Sequence, residues 1–131
     1  MTAPPPDYKV RPRRILVVDD EPLVLDSIRM LFELDGHQVE TANNPRAALK
    51  NFAPGKFDLV VTDFQMPDMV GTEFVRAIRE LSPGQRILMI SAYTESLTQS
   101  GRTPEGVDMI INKPFSLAAL RQALANLTGP S

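Results

Sequence analysis

The chain has 131 residues and 43% hydrophobic content, enough for one domain with a real core and too short for two ordinary ones. Its 14 Lys and Arg against 16 Asp and Glu leave a net charge of −2, so no global excess of positive charge draws in nucleic acid or an anionic membrane. With no cysteine and His37 as the sole histidine, disulfide frameworks, thiolate nucleophiles, Cys-based metal centres and His-rich zinc sites are excluded, and any metal should be a hard cation held by oxygen. No apolar run approaches the roughly 18 residues of a membrane span, and the N-terminus carries Pro4-Pro5-Pro6 in place of an apolar signal core. These features read as a soluble, cytoplasmic protein.

In chain order, residues 1–12 hold four of the 12 prolines and read as a flexible, extended arm outside the fold. Arg13-Arg14-Ile15-Leu16-Val17-Val18 reads as a strand, solvated at its arginines and then buried on both faces, that runs into Asp19-Asp20-Glu21. Pro22 suits a first helical turn, and Val24, Ile28, Leu31 and Phe32 mark an apolar face as far as about Leu34, with Asp35-Gly36 as the stop. His37 reads as a surface turn residue. Gln38–Ala42 alternates like a short strand; Asn44-Pro45 caps a helix with Ala48, Leu49 and Phe52 inward, broken by Pro54-Gly55.

The β-branched run from Asp58 to Thr62 delivers Asp63 to a loop, followed by Met66-Pro67 and Gly71. Phe74, Ala77, Ile78 and Leu81 give an amphipathic helix closed by Ser82-Pro83-Gly84, and Arg86–Ile90 is a fourth buried strand ending at Ser91-Ala92. Tyr93 to Gly106 is the least regular stretch, expected as a short, loosely held helix cut by Gly101 and Pro104. Val107–Ile111 is a fifth strand leading to Asn112-Lys113-Pro114-Phe115. Ser116 caps a last helix with Leu117, Leu120, Leu124 and Leu127 at helical spacing, ended by Thr128-Gly129-Pro130.

Five strands alternating with five helices predict an α/β, doubly wound (βα)5 parallel sheet covered on both faces. Such sheets bind and react beyond the C-terminal ends of their strands. There the chain places Asp19, Asp20 and Glu21 after strand 1, Asp63 after strand 3, Ser91 after strand 4 and Lys113 after strand 5. Clustered carboxylates either rise in pKa or hold a cation, and Mg²⁺ is the natural occupant. A lysine and a hydroxyl opposite them serve an arriving anion. We therefore expect a phosphoryl group carried by Asp63 as an acyl phosphate, with Asp19 and Asp20 holding the metal directly or through water. Lys113 and the Ser91 hydroxyl would contact phosphoryl oxygens, and because those contacts exist only with phosphate present they can draw their loops inward and give a second state. Met66, Met69 and Met89 read as packing residues.

The Asp19-Asp20-Glu21 triplet, the Asp63-x-x-Met66-Pro67-x-Met69-x-Gly71 run, Ser91-Ala92 and Lys113-Pro114-Phe115, in this order and spacing, resemble the receiver domain of two-component response regulators. The resemblance spans residues 13–128, leaving 129–131 as a tail. It implies the flavodoxin-like strand order 2-1-3-4-5, Asp63 as phosphoacceptor, Asp19 and Asp20 as the acidic pair at Mg²⁺, and the main-chain carbonyl of Gln65 as a further ligand. It also implies Ser91 as the switch hydroxyl, Lys113 as the family's lysine with a cis Lys113-Pro114 bond, and a histidine kinase or histidine phosphotransfer protein as donor. Such a domain catalyses only its own phosphorylation and dephosphorylation, and a phosphorylation-dependent homodimer is a possible output.

One departure from the family pattern is Ile110, where Tyr or Phe often stands three residues before the lysine; aromatic rotamer switching is not expected there. Gln65 and Tyr93, two residues after Asp63 and Ser91, stand where the family tunes phosphoryl lifetime, and Tyr93 is a candidate shield for the acyl phosphate. Other classes fit less well. A flavin module needs neutral phosphate loops and meets an acidic one here. An aspartyl-nucleophile phosphatase wants a general acid where Gln65 stands, and a receiver-like scaffold that ignores phosphate leaves the acidic, nucleophile and lysine set without purpose. With only Gly129-Pro130-Ser131 after the last helix, a stand-alone receiver and a piece of a longer protein remain equally open.

Overall fold

A computed structural model of the chain describes residues 11–66, 69–92 and 104–129. Among the described residues nine elements follow one another: β1 (Arg14–Val18), α1 (Pro22–Leu34), β2 (Gln38–Ala42), α2 (Pro45–Asn51), β3 (Leu59–Asp63), α3 (Gly71–Leu81), β4 (Ile87–Ser91), β5 (Met109–Asn112) and α4 (Leu117–Thr128). The five strands form one parallel sheet in the order β2-β1-β3-β4-β5, so the predicted doubly wound architecture is the observed one. The short helix expected within Tyr93–Gly106 and most of the N-terminal arm lie outside the described residues.

Alternation along the central strands sorts the core into two halves. Ile15 and Val17 of β1, Leu59 and Val61 of β3, and Leu88 and Ile90 of β4 pack with Leu25, Ile28 and Phe32 of α1 and Leu120, Ala123 and Leu124 of α4. Their neighbours Leu16, Val18, Val60, Ile87 and Met89 face the other way, against Ala48 of α2 and Phe74, Val75 and Ile78 of α3. This period of two, with both faces covered, is why the inner strands read as unbroken apolar runs. Each fully buried aliphatic or aromatic side chain contributes about 1.5–3 kcal/mol.

Local signals set the helix ends. Asn44 accepts the Ala47 N–H at 2.8 Å and Ser116 accepts the Ala119 N–H at 3.0 Å, both as N-caps. The buried stripes turn slightly from those expected. In α1 Leu25 joins Ile28 and Phe32 inside while Val24 and Leu31 are half-buried, and in α3 Val75 is buried while Leu81 is exposed. A 3.6-residue period admits either neighbour of a stripe, and the crossing over the sheet decides which is covered. β3 also runs one residue further than expected, so Asp63 is its last strand residue.

Two expectations at the lower end of the sheet are corrected. His37 is buried at 5% exposure, its ring edge-on to Phe32 with centroids 6.0 Å apart and its Nδ1 accepting the Arg13 N–H at 2.9 Å. Gly36, at φ +89°, turns the chain so that the ring enters the core edge. Arg13 is likewise no solvated strand start: its Nη2 donates to the carbonyls of Thr128 at 2.9 Å and Gly129 at 3.2 Å, closing the carbonyl end of α4. Arg14 is exposed as expected and lies 3.7 Å from Asp58.

Candidate functional site

Four strands deliver their last residues, or the residues just after them, to one cleft of about 520 Å³ lined by Asp20, Glu21, Asp63, Gln65, Ser91 and Lys113. Parallel pairing makes this convergence automatic, since all C-terminal ends lie on the same edge. Asp63 closes β3 opposite Ile90 of β4, and Ser91 pairs in register with Asn112 of β5. The Lys113 N–H then donates to the Ser91 carbonyl at 3.0 Å, which ties the lysine to the strand carrying the hydroxyl. The Lys113-Pro114 peptide is cis, as the family resemblance implied.

The charges meet in the middle. Lys113 Nζ stands 3.1 Å from Asp63 Oδ1, 3.3 Å from Asp19 Oδ2 and 3.7 Å from Glu21 Oε1. Both aspartates are also held by main chain, Asp19 Oδ1 accepting the Glu21 N–H and Asp63 Oδ1 the Phe64 N–H, each at 2.9 Å. Burial raises the Asp63 carboxyl above its ordinary range and the negative charge of Asp19 adds to this, against the lowering pull of Lys113 and the Phe64 N–H. Asp19 is raised by burial too, in spite of the Glu21 N–H and Lys113. For Lys113 burial acts downward, but the two carboxylates outweigh it and the ammonium is held above its usual value. One cation shared among carboxylates stays charged, while the carboxylates it must divide itself between remain under strain.

Carboxylate oxygens of Asp19, Asp20 and Asp63 lie within 4.8 Å of one another. An all-oxygen, anionic donor set of this kind suits a hard divalent cation, which would offset the burial that raises Asp19 and Asp63 and the Asp19 charge that adds to it at Asp63. Gln65 is exposed on the rim of the same cleft. The aspartate carbonyl is fixed as well: Thr62 Oγ1 donates to it at 3.0 Å, and the Gly71 N–H donates to the adjacent Phe64 carbonyl at 2.6 Å.

Every residue singled out from sequence at this site, namely Asp19, Asp20, Asp63, Gln65, Ser91 and Lys113, is brought to this edge of the sheet. Tyr93 lies outside the described residues, as do Pro67 and Asp68 of the motif. Ile110 is half-buried beside the cluster that holds Phe74 and Met89. Two contributors were not assigned a role from sequence. Glu21 reaches Lys113, which its place in an acidic triplet could have suggested. Gly71 packs so tightly that a Cβ would sit 2.5 Å from the Asp63 carbonyl oxygen, which no spacing announces.

The family model for the response regulator receiver domain matches residues 15–125. The response regulator MprA of Mycolicibacterium vanbaalenii is 35% identical over 122 residues, covering 91% of this chain and 53% of that protein. The transcriptional regulatory protein TrcR of Mycobacterium tuberculosis is 32% identical over 116 residues, 88% of this chain and 45% of that protein. The chain thus spans about half the length of these relatives. Among solved structures, the response regulator TrrA of Thermotoga maritima in complex with Mg²⁺ and BeF superposes with a TM-score of 0.78 at 33% identity, covering 88% of this chain and 98% of that one. With a family match over nearly all of the described fold and the acidic, lysine and hydroxyl groups gathered at one sheet edge, the chain belongs to the response regulator receiver domain family.

Proposed function

We propose that Asp63 accepts a phosphoryl group and that residues 13–128 work as a Mg²⁺-dependent, two-state receiver. The observation that carries this reading is the Lys113 ammonium 3.1 Å from Asp63 Oδ1, with two further aspartates packed around the same carboxylate. A carboxylate oxygen of Asp63 forms a bond to phosphorus as the P–N bond of a phosphohistidine breaks and the imidazole leaves with the electron pair. Asp19, Asp20, Asp63 and the Gln65 carbonyl would hold Mg²⁺, which when bound neutralises charge between the nucleophile and the phosphoryl oxygens. Lys113 exchanges its carboxylate partners for a phosphoryl oxygen, and the Ser91 hydroxyl donates to another. Drawing Ser91 and Lys113 toward the anion shifts the loops after β4 and β5, the basis of a second state.

The donor in this reading is a sensor histidine kinase or histidine phosphotransfer protein in the cytoplasm. An exposed apolar surface beside the site supports docking of such a donor. On α1, Leu23, Met30 and Leu34 are exposed at 82%, 58% and 72%, and with Ser27 they form a four-three-four stripe pointing away from the core. An apolar groove of about 670 Å³ floored by Leu31, Pro114 and Phe115 adjoins it and reaches Lys113. An amphipathic helix is the kind of partner that such an apolar stripe and groove would take. No helix among the described residues is long and apolar enough to cross a membrane.

The test is intact mass after incubation with Mg²⁺ and acetyl phosphate, for wild type and Asp63→Asn. One added phosphoryl group, absent in the variant and abolished by EDTA, is the expected result. A wild type that takes up neither phosphoryl nor a stable beryllofluoride analogue while binding Mg²⁺ would favour a phosphate-independent interaction scaffold. Size-exclusion chromatography with and without beryllofluoride reads whether the second state is a homodimer.

A further inference from the structure

Taking Asp63 as the phosphoryl acceptor, we propose that Glu21 is a positioning residue that restrains the Lys113 ammonium and so sets how readily the site takes up a phosphoryl anion. Three carboxylates share this lysine, and they differ in kind. The side chains of Asp19 and Asp63 are almost wholly buried, whereas that of Glu21 is 62% exposed. Glu21 also occupies the N-cap of α1 without making a side-chain cap hydrogen bond. The helix dipole favours negative charge at that place, although Glu is not among the usual capping side chains. Here its carboxylate reaches Lys113, at 3.7 Å.

Its main chain is held, the Glu21 N–H donating to Asp19 Oδ1 at 2.9 Å, while its carboxylate lies at the exposed mouth of the cleft. Nor does Glu21 join Asp19, Asp20 and Asp63 in the close carboxylate group suited to a cation. What is left to it is electrostatic: a third claim on Lys113 and a negative charge at the mouth of the cleft. A phosphoryl oxygen must displace that claim, while Asp19 and Asp63 keep their partners in the metal and the new bond. A unit charge one layer beyond the ammonium, in surroundings between water and the protein surface, changes anion uptake by roughly three- to tenfold.

The experiment compares wild type, Glu21→Gln and Glu33→Gln, the last removing equal charge from the far, exposed end of α1. Beryllofluoride affinity at saturating Mg²⁺, Mg²⁺ affinity by itself and the acetyl phosphate phosphorylation rate are measured for each. Glu21→Gln should bind beryllofluoride roughly three- to tenfold more tightly and phosphorylate correspondingly faster at saturating Mg²⁺, with Mg²⁺ affinity lowered by no more than about tenfold through loss of the same charge, Tm unchanged and Glu33→Gln matching wild type. Unchanged or weakened anion uptake in Glu21→Gln overturns the proposal, as does a fall in Mg²⁺ affinity well beyond about tenfold, which would make Glu21 a metal-site residue. An equal gain in Glu33→Gln also overturns it, as a general charge effect. A wild type that takes no anion sinks the phosphoryl reading and this inference together, and the wild-type arm tells that case apart.

Discussion

Gly71→Ala sets two effects of opposite sign against each other at the phosphoacceptor loop. Alanine favours a helix over glycine by about 1 kcal/mol in a helix interior, and Gly71 opens α3 with no positive φ to protect. Propensity alone therefore predicts slight stabilisation. The added Cβ, however, would lie 2.5 Å from the Asp63 carbonyl oxygen and 2.9 Å from both Phe64 Cα and the Phe64 carbonyl oxygen, all of them backbone. Relief requires the β3–α3 junction to open by most of an ångström, and overpacking of this kind costs roughly 1–3 kcal/mol. Sterics should win, lowering Tm by several degrees for a domain of this size. The same shift moves the main chain that carries Asp63, and a misplacement near 1 Å can cost on the order of 10²-fold in rate. Thermal unfolding and the acetyl phosphate reaction read the two consequences separately. A variant with wild-type Tm and wild-type phosphorylation would refute the close-packing argument.

Asp63→Asn should raise Tm in Mg²⁺-free buffer at pH 7. The folded-state carboxyl is raised by burial and Asp19, so its favourable contribution is present below the unfolded value near 3.9 and lost as pH rises through the folded one. At pH 7 its charge is a cost that a neutral isostere removes, while Lys113 keeps Asp19 at 3.3 Å; a lower Tm would mean the ion pair with Lys113 outweighs repulsion. At the sheet's lower end, burial pushes the His37 imidazole below its ordinary value, with Asp35 opposing and Arg13 reinforcing. Its neutral form accepts the Arg13 N–H, so its stabilisation is whole above about pH 6.5 and lost as pH falls through the depressed folded value. Urea unfolding at pH 7.5 and 5.5 should show a smaller loss for His37→Gln than for wild type, and equal losses would contradict this. Arg79→Lys should destabilise by about 2–3 kcal/mol. The guanidinium spans the carbonyls of Pro83, Gln85 and Gly106 and the Asp108 carboxylate, a fork that an ammonium cannot reproduce. A change under about 0.5 kcal/mol in urea unfolding would be the ordinary surface result and would remove Arg79 as a clasp.

Much of this site is legible in one dimension because a parallel sheet needs only strand ends to predict an edge. Once Arg13–Val18, Asp58–Thr62, Arg86–Ile90 and Val107–Ile111 read as strands, the residues following them share a side by topology, and Asp19, Asp63, Ser91 and Lys113 come together with no side-chain detail. Caps behaved the same way at Asn44 and Ser116, since the side chain bonds within three residues of itself. His37 and Arg13 went unread for the opposite reason. Their partners are Phe32, each other and the carbonyls of Thr128 and Gly129, and a polar residue beside a turn carries no mark of a partner more than a hundred positions away. The choice of Val75 over Leu81 depended on where α3 crosses the sheet. The clash awaiting a Cβ at Gly71, and the turn of the Glu21 carboxylate toward Lys113 instead of its own helix, are facts of distance. Sequence by itself determined the order of elements and the chemistry gathered at one edge, because period and local hydrogen bonding are short-range. Only the tertiary structure decided which charges share the lysine and which backbone atoms leave no room, because those contacts exist only after the strands have paired.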